Sequence, residues 1–221
     1  MIVIVDYGAG NLSSVRKAFD HLGAEVTITG QSSTIDAADK IVLPGVGHFS
    51  ALSALNVAGR RDALLKSIFA GKPFLGICLG MQWLFDGSEE APGLPGAALF
   101  SGRCRQFPAK VKSPHVGWNN LSLSGASESE WSEHRKRGAG RPEPGKSELR
   151  KSKLLCHLPS DPFLYFTHSF YAPVTQATSA TTDYGLPFSA AVERDNIFGV
   201  QFHPEKSGAA GLLILKAFCE V

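Results

Sequence analysis

Residues 2–5 read Ile2-Val3-Ile4-Val5, four branched apolar side chains with no polar residue between them. Successive side chains of a strand point to opposite faces, so this run is apolar on both sides. A sheet wetted on one face cannot hide such a strand. A parallel sheet covered by helices on both faces can, and that requirement predicts a helix next. Asn11 stands at an N-cap position, Leu12, Val15, Phe19 and Leu22 recur at helical spacing, and Gly23 closes the segment. Further strands are expected at Ala24 to Thr29, Lys40 to Leu43 and Phe74 to Ile77, with helical stretches at Phe49 to Leu55 and Arg61 to Phe69. After about Pro92 the texture turns to short strands with Gly and Pro punctuation, at Tyr165 to Thr167, Phe188 to Glu193 and Ile197 to Phe202. A helix over Ala209 to Phe218 follows. The reading is an α/β fold with a mainly parallel central sheet and some antiparallel additions.

At 221 residues, 43% hydrophobic and 19% charged, the chain supports one sizeable core, and one domain spanning 1–221 is expected. Ser124 to Lys153 stands outside the pattern. It is built of Ser, Gly, Pro, Glu, Lys and Arg, with Trp131 and Leu149 its large apolar residues, and is expected to be a mobile surface insertion. Its run Arg135-Lys136-Arg137 reads as a solvated loop in preference to a docking or targeting patch. A net charge of +2 argues against a nucleic-acid surface. Cys78, Cys104, Cys156 and Cys219 are widely scattered and form no C-x-x-C pair of the kind that marks zinc or dithiol redox sites, so no metal site is indicated and a reduced cytoplasmic setting is expected. The longest apolar stretch, Phe74 to Phe85, falls short of the roughly 20 residues of a membrane span, and the N-terminal segment lacks signal-peptide features.

Three stretches carry chemistry. Phe74-Leu75-Gly76-Ile77-Cys78-Leu79-Gly80-Met81-Gln82 places a cysteine between a strand and a helix, with glycines two before and two after. This has the form of a nucleophile elbow, at a helix N-terminus that favours the thiolate. A lone cysteine is also a common small core residue. In Gly199-Val200-Gln201-Phe202-His203-Pro204-Glu205-Lys206-Ser207, Pro204 is expected to hold the backbone extended so that His203 and Glu205 share a face, as a base with its orienting carboxylate. The plainer alternative is a strand-end histidine beside a solvated charge. Leu43-Pro44-Gly45-Val46-Gly47 could offer free amides to an oxyanion or be an ordinary strand-to-helix turn. A fourth stretch, Gly8-Ala9-Gly10-Asn11-Leu12-Ser13, departs from a dinucleotide fingerprint at Ser13 and is set aside.

Cysteine in G-x-C-x-G-x-Q followed by H-P-E resembles the triad class of glutamine amidotransferases, whose glutaminase domains are flavodoxin-like. Finer motifs narrow the likeness. Asp6-Tyr7-Gly8-Ala9-Gly10-Asn11-Leu12, Leu43 to Gly47, Pro114-His115-Val116-Gly117-Trp118-Asn119 and His203 to Ser207 resemble the glutaminase subunits of imidazole glycerol phosphate synthases. The resemblance implies that Cys78 attacks the glutamine amide, His203 moves the proton and Glu205 orients His203. It further implies an oxyanion hole from Val46, Gly47 and Leu79, and substrate contacts from Gly45, Gln82, His168, Ser169 and Phe170. Asn11, Trp118, Tyr165 and Lys206 would face the partner. No cofactor is implied.

That partner would be a (β/α)₈-barrel cyclase in a heterodimer, taking ammonia and a phosphoribulosyl-formimino aminoimidazole carboxamide ribotide to imidazole glycerol phosphate and aminoimidazole carboxamide ribotide in histidine biosynthesis. Low activity alone and stimulation by the partner follow from this logic, because ammonia released into neutral water is protonated and lost as a nucleophile. The inserted segment departs from the family pattern. So do His48 and Trp83, for which packing roles are expected. The rival readings are a glutaminase for another synthase, such as one making pyridoxal phosphate or anthranilate, and a catalytically idle flavodoxin-like binding protein.

Overall fold

The computed structural model describes residues 1–122 and 152–221, so the stretch 124–151 of the expected insertion lies outside the described residues. Ile2–Val5 forms β1, Leu12–His21 α1, Val26–Thr29 β2, Ser32–Ala37 α2 and Lys40–Gly45 β3. A 3₁₀ helix, Phe49–Asn56, leads to Arg60–Phe69 (α3), Phe74–Cys78 (β4) and Leu79–Trp83 (α4). Short strands follow: Gly87–Ser88 (β5), Arg103–Gln106 (β6), His115–Asn120 (β7), Phe163–His168 (β8) and Phe170–Tyr171 (β9). Thr178–Asp183 (β10), Pro187–Arg194 (β11), Ile197–Val200 (β12) and the helix Gly208–Glu220 (α5) complete the described elements.

The main sheet has the order β10-β11-β12-β4-β3-β1-β2. β12, β4, β3, β1 and β2 are mutually parallel, and β10 and β11 are added antiparallel. β1 occupies the interior position that its composition demands. Ile2 and Ile4 pack into one core with Val15 and Phe19 of α1 and Ile214, Leu215 and Phe218 of α5. Val3 and Val5 pack into the other, with Ile35 of α2 and Leu64 and Ile68 of α3. Each such buried side chain contributes about 1.5–3 kcal/mol. The expected α/β architecture is therefore present, with helices on both faces.

Several details differ from expectation. Phe49–Asn56 is a 3₁₀ helix capped by His48, whose exposed ring accepts from the Ser50 amide at 3.1 Å, so His48 caps instead of packing. Trp83 does pack, against Phe74 at 5.9 Å between ring centroids. Asn11 holds the N-cap position of α1 without a side-chain cap bond, and Gly23 ends that helix with φ 72. β10 was missed because its sequence, Thr-Ser-Ala-Thr-Thr-Asp, has no apolar alternation; it pairs along β11 at the end of the sheet. Two small sheets, β5-β6-β9 and β7-β8, accompany the main one, and Ser122 just past β7 bridges to Thr181 of β10.

Candidate active site

The chemistry gathers beyond the carboxyl ends of β3, β4 and β12, where parallel α/β sheets commonly bind ligands. Cys78 joins β4 to α4 with φ 53 and ψ −105, a conformation that costs a residue with a Cβ on the order of 1–3 kcal/mol. The flanking glycines make the turn sterically passable. A Cβ on Gly76 would lie 2.4 Å from the Gly80 carbonyl oxygen, and one on Gly80 would lie 1.8 Å from that of Leu43. Only hydrogen fits at either place, as the motif requires. The helix that follows has five residues, so few aligned peptides act on the sulfur.

β12 runs beside β4 with Val200 opposite Ile77. Cys78 ends β4 and Gln201 follows β12 directly, and the Gln201 amide donates to Sγ at 3.5 Å. Two residues later His203 is still extended (φ −102, ψ 96), but Pro204–Lys206 then closes into a 3₁₀ turn. Proline suits the first position of such a turn, where its missing N–H forfeits no bond. The expected extended backbone is thus replaced by a turn, and it is the turn that brings Glu205 back to the imidazole. His203 Nδ1 and Glu205 Oε1 are 2.8 Å apart, with both side chains 1% exposed. Nε2 of His203 is buried and left over for chemistry. Burial alone would depress the imidazole pKa; its charge interaction and hydrogen bond with the Cys78 sulfur, and after them the Glu205 hydrogen bond and charge, outweigh burial and raise it to about 10.

A cavity of about 270 Å³ opens over Cys78, lined by Val46, Gly47, Leu79, Gln82, His168, Ser169 and Phe170 among others. Its size suits an amino acid better than a drug-sized ligand. Gly47 has φ 110, a conformation that glycine adopts freely. Gly45 lies beneath the lining: it pairs with Cys78 across the sheet, and a Cβ there would meet the Tyr7 hydroxyl at 2.4 Å. Gln82 donates through Nε2 to the Phe170 carbonyl at 2.9 Å and to Gln201 Oε1 at 3.0 Å. His168 donates through Nδ1 to the same carbonyl at 2.8 Å, and its Nε2 lies 3.1 Å from Nδ1 of His115. Burial pushes His168 down to about 3 and His115 to about 4, so this pair is neutral at physiological pH. Burial and the Cys78 sulfur raise the Tyr7 phenol well above its ordinary range.

Sequence reasoning did not single out Gln201, Glu90, Thr167 or His115 as site residues. Gln201 had a legible signal, since it lies two before His203 in the short segment that follows β12. Glu90 had none. It lines the cavity from a loop after α4, anchored by the Phe49 amide to its Oε2 at 2.7 Å.

Of the residues read as partner-facing, three come together. Trp118 and Tyr165 stack edge to face at 6.1 Å, and Lys206 Nζ lies 5.9 Å from the Tyr165 ring. Trp118 is 56% exposed, as is Val116 on the same strand. Asn11 is half-buried at the head of α1. The His203 segment is stitched to this face: His203 N–H donates to the Tyr165 carbonyl at 2.8 Å, and Ser207 Oγ accepts from the Tyr165 amide at 2.9 Å while donating to the His203 carbonyl at 2.6 Å.

The class-I glutamine amidotransferase family model matches residues 3–220. Among curated relatives, the imidazole glycerol phosphate synthase subunit HisH of Methanothermobacter thermautotrophicus is 43% identical over 222 residues, covering 100% of this chain and 98% of its own. That of Deinococcus radiodurans is 41% identical, covering 98% and 92%. Among solved structures, a glutamine amidotransferase superposes with a TM-score of 0.69 at 16% identity, covering 100% of this chain and 98% of its own. PurLQS from Thermotoga maritima superposes with 0.66 at 18%, covering 99% and 97%. These distant structures share the flavodoxin-like fold. The chain belongs to the class-I glutamine amidotransferase family and, within it, to the HisH subunits of imidazole glycerol phosphate synthase.

Proposed function

We propose that this chain hydrolyses glutamine to glutamate and ammonia, and hands the ammonia to a (β/α)₈-barrel cyclase in histidine biosynthesis. The observation that carries the reading is the His203–Glu205 pair, buried and bonded at 2.8 Å, acting with the sulfur of a cysteine held in a strained elbow. The sulfur attacks the amide carbon of glutamine, and the negative charge passes to the carbonyl oxygen. The amides of Val46, Gly47 and Leu79 receive it; a single donor of this kind is commonly worth about 10²-fold or more in rate. His203, positively charged while its pKa stays near 10, gives a proton to the departing nitrogen, and ammonia leaves as the thioester forms. Water then loses a proton to His203 as it attacks the thioester, releasing glutamate and restoring the sulfur.

Glu90 gives the cavity a carboxylate suited to the α-ammonium of glutamine, and Gln82 with the Ser169 and Phe170 backbone positions the rest. The whole of 1–221 acts as one glutaminase unit, in the cytoplasm. No described helix is long and apolar enough to cross a membrane. The partner docks over Trp118, Tyr165 and Lys206, with Asn11 at the margin. Tyr165 is a single hydrogen bond from the His203 backbone, so docking strain on β8 reaches the triad directly, which supports stimulation by the partner.

The test is a mixture of this chain, a barrel cyclase and its ribotide, assayed with glutamine and separately with ammonium. Cys78→Ala is expected to lose glutamine-driven product and retain ammonia-driven product. Retention of both would refute the role of Cys78. Equal glutamine turnover with and without the cyclase would refute the stimulation.

A further inference from the structure

The four hydrogen bonds around Phe170 have a direction. A carbonyl oxygen only accepts, so both groups that reach the Phe170 oxygen must donate: His168 through Nδ1 and Gln82 through Nε2. With its NH₂ group so oriented, Gln82 presents its second N–H to the next amide, 3.0 Å away. Gln201 must therefore turn its oxygen toward Gln82, because the opposite rotamer would set donor against donor. That leaves the Gln201 NH₂ facing Cys78 Sγ at 3.5 Å. Gln82 is 3% exposed and Gln201 fully buried, so water does not compete for either amide.

We infer that Gln201 is a catalytic residue of this site: its N–H, held in one orientation by a chain of amides anchored on the Phe170 carbonyl, donates to the Cys78 sulfur and stabilises it as the attacking thiolate. The inference rests on the reading of Cys78 as nucleophile. A neutral donor suits this position. It favours the anion over the thiol, as a hydrogen bond to a charged acceptor is about twice as strong as one to a neutral acceptor. It carries no positive charge that would persist once the sulfur is acylated. It also takes no proton, so His203 alone handles proton transfer. The anchor lies in the wall of the substrate cavity, since Phe170, His168 and Gln82 all line it. A displacement of the Phe170 carbonyl thus reaches the nucleophile through two side chains.

The experiment measures the rate of alkylation of the Cys78 peptide by iodoacetamide across pH 5–10, by mass spectrometry, on the full chain. Iodoacetamide has neither the α-ammonium nor the carboxylate of glutamine, so substrate recognition does not enter. Exposed Cys156 is the internal reference. In Gln201→Met, of similar length and without a donor, Cys78 labelling at pH 7 is expected to slow about tenfold and its pH profile to move to higher pH, with Cys156 unchanged. In Gln82→Met the Gln201 amide loses its orienting partner, and a smaller slowing of Cys78 is expected. Circular dichroism checks the fold of each; if Gln201→Met does not fold, Gln82→Met decides. Unchanged rate and profile in the folded variants, with wild-type Cys78 labelled faster than Cys156, would overturn the role of Gln201 and leave the nucleophile standing. Wild-type Cys78 no more reactive than Cys156 would overturn the nucleophile reading, and this inference with it.

Discussion

Cys78 holds a backbone conformation that suits glycine better than any residue with a side chain. With φ 53 and ψ −105, its strain of about 1–3 kcal/mol outweighs the roughly 0.5–1 kcal/mol that glycine costs through the unfolded chain. Cys78→Gly is therefore expected to be more stable than Cys78→Ala by about 1 kcal/mol, read from thermal melts, with both inactive toward glutamine. Glu205 tests the proposed role of the carboxylate that orients His203. Glu205→Gln keeps the shape and removes the charge, and glutamine turnover is expected to fall by about 10²–10⁴-fold. The linkage has a definite sign. His203 is raised on folding from 6.5 to about 10, so its contribution to stability is complete below pH 6.5 and disappears as pH rises through 10. The stability gap between wild type and Glu205→Gln is expected to be widest below pH 6.5 and to narrow toward pH 10, in urea titrations at each pH.

Among the elements, β8 has two duties. Its alternating residues face opposite ways: Leu164, Phe166 and His168 are buried, while Tyr165 is turned toward Trp118 and Lys206. Ser207, at the start of α5, ties the His203 carbonyl to the Tyr165 amide. Ser207→Ala removes that tie and leaves the Tyr165 N–H without its acceptor, at a cost of about 1–3 kcal/mol. Glutamine turnover is expected to fall with it. A melting curve together with a kcat measurement distinguishes this from simple destabilisation, because a turnover still reduced well below the melting temperature reports a displaced His203. The outer side of the β7–β8 pair behaves differently. Trp118→Ala is expected to leave the melting temperature nearly unchanged, since the ring is largely exposed, and to weaken cyclase association by about tenfold or more in calorimetry.

For the whole molecule, acid is the condition that reaches the site through the fold. His115 and His168 are buried and neutral, with values near 4 and 3 against 6.5 in the unfolded chain. A depressed histidine contributes stability that is fully present above pH 6.5 and is lost as pH falls toward the folded value, because the unfolded chain takes up protons first. Stability is expected to decline between pH 6.5 and pH 3–4 by an amount on the order of a few kcal/mol, and His168→Phe is expected to flatten that decline. Denaturant midpoints at a series of pH values measure both. Much of the architecture behind this was legible in advance. The apolar run of β1, the glycines around Cys78 and the spacing of His203 and Glu205 are local patterns, and each maps onto one element. β10 was not legible, because its buried Thr181 and Thr182 satisfy their backbone through β11 and Ser122 instead of advertising a strand by alternation.

What the sequence by itself determined is whatever neighbours along the chain can enforce: a strand apolar on both faces, a turn that admits only glycine at two positions, a proline that opens a 3₁₀ turn beside a histidine. What only the tertiary structure decided is which of these meet. Cys78 and Gln201 are 123 positions apart, and they touch because β12 returns to pair in parallel with β4 at a register that puts their carboxyl ends level. The His115–His168 pair likewise exists only because β7 and β8 align antiparallel with those two residues opposite each other. Pairing and register are set by the burial of both cores at once, and no segment read alone contains that sum.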